Sequence, residues 1–92
     1  MNFYRIKMRI CIDLDGVIAD FKNENETYSD VKPIDGAAKK IRALKESGHY
    51  IIIHSARNMK TQNGNLGKVI ANIAEITIKW LNKNNIVYDE IY

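Results

Sequence analysis

Three apolar runs alternate with two amphipathic stretches along this chain. The first run, Met8-Arg9-Ile10-Cys11-Ile12-Asp13-Leu14-Asp15-Gly16-Val17, has strand length and ends in two carboxylates and a glycine. That pattern predicts a buried β-strand with a charged C-terminal tip. Tyr50-Ile51-Ile52-Ile53-His54-Ser55 is a continuous β-branched run, as in a parallel strand covered on both faces. Between them Ile34, Ala38, Ile41 and Leu44 recur at helical spacing, with Asp35 as the expected N-cap and Gly48 as the stop. After a loop spanning residues 58–67, a second helix is predicted to about Lys83. Val69, Ile73, Ile76 and Trp80 form its stripe, Leu66, Ile70 and Leu81 lie beside it, and Trp80 is a core residue. Asn84-Asn85 breaks that helix, and residues 86–92 lead into another strand. The alternation predicts an α/β fold.

Ninety-two residues suffice for a single domain over 1–92, and 46% hydrophobic with 27% charged residues is ordinary for a globular chain. The net charge of +3 is spread among acids and forms no basic stripe with interleaved aromatics, so no nucleic acid partner is expected. Lys39, Lys40, Arg42 and Lys45 read as a solvated helix face. The lone Cys11 cannot form a disulfide within the chain and is expected to pack as a small apolar residue in the first strand. With no signal-like N-terminus and no apolar stretch near ~20 residues, no membrane contact is expected, and a cytoplasmic location follows. Residues 1–7 read as a leader extension, since Met8 could itself be a start.

The chemistry concentrates at the tip of the first strand. Asp13 and Asp15 are two apart, so on a strand both carboxylates project to one side while Leu14 turns into the core. Such a pair repels itself, and a shared proton or a hard cation such as Mg²⁺ relieves it. Gly16 lets the backbone leave the strand. An EF-hand is excluded, because Leu14 and the glycine directly after Asp15 break its ligand spacing. The glycines of the 58–67 loop lack the following Gly-Lys-Ser/Thr of a Walker phosphate loop. His54 should face away from its neighbour Ser55, which discounts a Ser-His pair.

Asp13-Leu14-Asp15-Gly16-Val17 after a hydrophobic strand resembles the first motif of the haloacid dehalogenase (HAD) superfamily of phosphatases. Ser55-Ala56-Arg57-Asn58 resembles its second. The stretches Gly64-Asn65-Leu66-Gly67-Lys68, Trp80-Leu81 and Tyr88-Asp89-Glu90-Ile91 extend the likeness to small, capless members linked to capsule or polysaccharide biosynthesis. The resemblance implies a Rossmann-like three-layer core with a parallel sheet. Residues 17–33 would form a short flap loop in place of a cap. It implies a Mg²⁺-dependent phosphatase acting on a sugar phosphate or similar phosphomonoester, with Asp13 as nucleophile and Asp15 as acid and base. Ser55, Ala56 and Arg57 would bind phosphate, and Asp13 and Asp15 would hold the metal. Arg57 reads equally as a surface loop arginine.

A lysine and a second acidic cluster complete the site in that superfamily. Both come after the strand that Tyr92 has barely begun, so the core is expected to be C-terminally incomplete. A rival reading is therefore a non-catalytic remnant or subunit that binds phosphate or a protein partner; phosphoryl transfer to another acceptor is a third. Right-handed crossovers would leave the apolar first strand on a sheet edge. Exposed apolar edges invite pairing, so a homo-oligomer or a complementing C-terminal segment is expected to cover it.

Overall fold

A chain of short strands separated by helices has few ways to bury its isoleucines, and here it takes the simplest. The computed structural model describes residues 7–55, 57 and 66–92, with side chains of the last stretch described from Ile73 onward. The elements run β1 (Arg9–Asp13), α1 (Ala37–Glu46), β2 (Tyr50–His54), α2 (Leu66–Lys83) and β3 (Glu90–Ile91). The strands form one parallel sheet in the order β1-β2-β3, with Arg9 opposite Tyr50, Asp13 opposite His54 and Ile53 opposite Ile91. This is a small α/β fold with a three-stranded parallel sheet and two helices.

Two crossovers stepping the same way place their helices on the same side of a sheet. Ile41 of α1 and Trp80 and Leu81 of α2 accordingly share one buried cluster with Ile51 and Ile53 of β2, and Leu14, Ile18, Ala19, Val31 and Ile86 complete it. The described residues thus form two layers rather than the expected three. The other face of the sheet carries Arg9, Cys11, Asp13, Tyr50, Ile52 and His54, none of them buried. That corrects two expectations. The strands are covered on one face rather than both, and Cys11 is exposed instead of packed. An isoleucine-rich run looks the same in sequence whether one or two layers of helix cover it.

The helix ends show a smaller correction. Asp35 does not cap α1: the helix enters one residue later, through Gly36 at φ 82°, with no side-chain cap. Ala37 N–H donates to Ile34 C=O, so residues 34–37 close as a turn of their own. The far end is as expected, with Ser47 as C-cap and Gly48 at φ 95°. Asn85, at φ 58°, ends the turn after α2.

The loop over residues 17–33 is sewn shut at its base. Asp20 N–H donates to Lys32 C=O at 2.9 Å and Ile34 N–H to Ile18 C=O at 2.7 Å. Trp80 Nε1–H donates to Val31 C=O at 2.8 Å, tying the loop to α2 from inside the core.

Candidate active site

Side chains at the C-terminal ends of parallel strands face the same side of an α/β sheet's rim, the place where such folds bind ligands. β1 ends at Asp13 and β2 at His54, and these two are register partners on the open face. Asp13 Oδ1 lies 3.0 Å from His54 Nδ1, with side chains 67% and 37% exposed. The His54 ring stacks on Tyr92 at a centroid separation of 5.7 Å.

Asp15 sits beyond the strand, in a turn whose only ladder contact is an isolated bridge to Ala19. Strand alternation therefore holds through Leu14, which is fully buried, and stops short of the second carboxylate. Gly16 follows at φ 89°, where a Cβ would meet the Phe21 ring at 2.5 Å. Asp15 is bound instead by Arg57, whose Nε–H and Nη2–H donate to its carboxylate at 3.3 Å. The Arg57 side chain has no exposed surface, while that of Asp15 is 20% exposed. Arg57 Nη1–H donates to Thr77 Oγ1 of α2 at 3.1 Å, and the Tyr28 ring from the 17–33 loop lies 4.3 Å over the guanidinium. Three segments of chain thus converge on one buried arginine.

Each aspartate has a side-chain partner of its own, Asp13 the His54 imidazole and Asp15 the Arg57 guanidinium. Arg57 is not a surface arginine: it is buried, with its guanidinium on Asp15, Thr77 and the Tyr28 ring. Ser55 is half-buried at the tip of β2. Its N–H donates to Tyr92 C=O at 3.0 Å and its Oγ accepts the Arg57 N–H at 3.2 Å, and among the described residues no acceptor takes its hydroxyl proton. A cavity of about 250 Å³ lies beside it, lined by Ile73, Thr77, Ile91 and Tyr92. Ala56 lies outside the described residues.

Three contributors escaped the sequence reading. His54 was weighed only against Ser55; pairing the two strands in register would have placed it beside Asp13. Tyr28 and Thr77 carry no signal in sequence, since a loop tyrosine and a helix threonine acquire their roles only from where Arg57 points. No cluster of three or more His, Cys, Asp or Glu side chains suited to a metal ion occurs among the described residues. No helix among them is long and apolar enough to cross a membrane.

No family model matches the chain, and no curated protein matches it. The crystal structure of a target protein from Vibrio cholerae, which carries no functional name, is similar to it. The two are 34% identical over 94% of this chain and 68% of that one, with a TM-score of 0.76.

Proposed function

We propose that this chain, which belongs to the same family as the Vibrio cholerae protein, has a HAD-like core and hydrolyses a phosphomonoester through an aspartyl-phosphate. What carries the reading is the arrangement at the sheet rim. Asp13 and Ser55 stand at the C-terminal ends of adjacent parallel strands, with Asp15 two residues further on. Asp13, the more exposed carboxylate, is free to approach phosphorus. Its Oδ forms the new P–O bond as the ester oxygen leaves with the bonding pair, and Asp15, having first taken a proton from solvent, passes it to that oxygen. In the second half Asp15 takes a proton from water, whose oxygen attacks phosphorus and releases Asp13 and inorganic phosphate. The Ser55 hydroxyl donates to a phosphate oxygen throughout.

Mg²⁺ fits the donor set. It prefers oxygen and is commonly held by one or two carboxylates, the substrate phosphate and water. Asp13 offers an exposed carboxylate with one partner among the described residues, His54, and Asp15 follows two positions on. When bound, the ion would neutralise charge on the transferring phosphoryl group. The substrate class is a sugar phosphate or similar ester, and the location is cytoplasmic.

Hydrolysis of p-nitrophenyl phosphate, with Mg²⁺ and with chelator, beside the Asp13→Asn variant, tests this. Turnover that needs both the metal and Asp13 is expected. A rate that Asp13→Asn leaves unchanged would sink the proposal. One observation favours the rival, a subunit that binds phosphate without turning it over: Arg57 occupies both Asp15 oxygens. Calorimetric phosphate binding with no hydrolysis would select that reading.

A further inference from the structure

The 17–33 loop carries polar groups that the proposed reaction does not use. A cavity of about 530 Å³ lies within it, lined by Asp20, Phe21, Asn23, Glu26 and Lys32. Sites for small molecules span about 300–1,000 Å³, and this one falls among them. The loop's own hydrogen bonds hold the lining in place. Asp20 N–H donates to Lys32 C=O at 2.9 Å, which sets these two residues opposite each other at the base. Further out, residues 23–26 close on themselves: Asn23 N–H donates to Glu26 Oε1 at 3.1 Å and Asn25 N–H to Asn23 Oδ1 at 2.9 Å.

Those bonds leave the rest of the lining unspent. Glu26 keeps its second carboxylate oxygen as an acceptor, and Asn23 keeps its amide N–H groups as donors. Among the described residues the Asp20 carboxylate and the Lys32 ammonium have no side-chain partner, although they line the same cavity. Phe21 adds an aromatic surface. The tip of its ring rests on Gly16, directly after Asp15, and the residue is otherwise 75% exposed.

We infer that this cavity is a sugar subsite: a neutral pyranose lies on the Phe21 ring with its hydroxyls among Asp20, Asn23, Glu26 and Lys32. An aromatic face is negative, and the C–H bonds on one face of a sugar ring present weakly positive hydrogens to it. Each hydroxyl around that ring both donates and accepts, which suits a wall of two carboxylates, an amide and an ammonium. A purely apolar group would desolvate those four side chains and return no hydrogen bond. A second phosphate would meet two carboxylates against one ammonium, and like charges brought together are costly. Because the ring sits on Gly16, the subsite adjoins the strand-tip site. The sugar's role as the alcohol part of the cleaved ester rests on the phosphatase reading; its binding over Phe21 does not.

The test is calorimetry on the full chain with Mg²⁺ present, using two probes that cannot be hydrolysed. One is the phosphonate analogue of a hexose 6-phosphate, and the other is methylphosphonate, the same anion without the sugar. The hexose phosphonate should bind on the order of tenfold tighter. Phe21→Ala should erase that difference and leave the affinity for methylphosphonate unchanged, while Phe21→Trp should keep it. Equal affinities for the two probes in the wild type overturn the inference. So does a preference that survives Phe21→Ala, a Phe21→Ala variant that weakens both probes alike, or a Phe21→Trp variant that behaves like Phe21→Ala. Methylphosphonate affinity and the dependence of turnover on Asp13 report on the phosphatase reading. The preference for the hexose and its dependence on Phe21 report on the subsite, so the two proposals fail separately.

Discussion

Removing the Arg57 side chain should be among the most damaging single changes available to this fold. The guanidinium is fully enclosed and spends its donors on Asp15 and Thr77 beneath the Tyr28 ring. Taking one partner from a buried ion pair costs about 3–5 kcal/mol, because the other charge stays behind unpaired. Asp15 retains 20% exposure and can recover some hydration, which pulls the figure toward the lower end. The Thr77 hydroxyl also loses a partner, and the space left is lined by polar groups that water can enter. We expect Arg57→Ala to lose roughly 3 kcal/mol, against a total of roughly 5–14 kcal/mol for a chain of this length. Arg57→Lys keeps the charge but loses the two-pronged geometry, so it should recover only part of the loss.

Urea denaturation followed by circular dichroism measures this, and a double-mutant cycle with Asp15→Asn identifies its source. If Arg57 serves to hold Asp15, its removal should cost less once the carboxylate is gone, with a coupling of about 1–3 kcal/mol. An Arg57→Ala variant within about 0.5 kcal/mol of wild type would refute the reasoning, since that is the range of ordinary surface substitutions. Additive losses with Asp15→Asn would refute it equally.

Gly16→Ala should cost about 1–2 kcal/mol through its left-handed backbone. Phe21, which is 75% exposed, can swing clear of the new methyl, so adding Phe21→Ala in a thermal melt should not rescue it. Trp80→Phe removes the Nε1–H that satisfies buried Val31 C=O and should cost about 1–3 kcal/mol. Circular dichroism must be the probe, since this is the chain's one tryptophan. Asp89 has its carboxyl held below the usual range, first by the Ile51 N–H at 2.8 Å and next by Lys45. A depressed folded value means stability that is fully present above the unfolded value near 3.8 and is lost as pH falls through the folded one. Asp89→Asn should therefore flatten the acid limb of a stability-against-pH curve below about pH 4, and an unchanged limb counts against the assignment.

What could be read in sequence was what depends on neighbours along the chain. The isoleucine run of β2, the α1 stripe through Ile41, the Gly48 stop and the Asn84-Asn85 break all follow from local pattern. Trp80 was legible as core because a large ring on an apolar stripe has nowhere else to go. The start of α1 failed because Asp35 satisfies a capping pattern that Gly36, in a left-handed conformation, overrides. Coverage of the strands failed for a different reason: the number of layers depends on which side each crossover takes, and Ile10, Ile12 and Ile52 are equally apolar either way. At the site, the residue types at the strand tips were legible and their partners were not. Arg57 read equally as a phosphate contact or a surface arginine because charge alone is visible in sequence, and its burial removes the second of these. Its burial is decided by Thr77 and Tyr28, twenty and twenty-nine residues away.

On the proposed phosphatase reading, the unequal grip on the two aspartates divides their work. Asp13 has one neighbour, His54, on an open face, and a nucleophile must be able to reach a phosphorus atom that arrives from solvent. Asp15 is clamped through both oxygens, which fixes where it points but leaves them committed as acceptors. A carboxyl that hands a proton to a leaving oxygen cannot accept from Arg57 through that same oxygen at that moment. Proton delivery by Asp15 thus requires one of the 3.3 Å contacts to open, and the arginine must then fall back on Thr77 and the Tyr28 ring. Tyr28 belongs to the 17–33 loop, so the loop's position and the freedom of Asp15 are coupled through a single guanidinium. A ligand that lifts the loop would loosen Arg57, and a ligand that presses it down would keep Asp15 fixed as an acceptor. In the proposed reaction, the same contacts that make Arg57 costly to remove would therefore set when the second carboxylate is free to act.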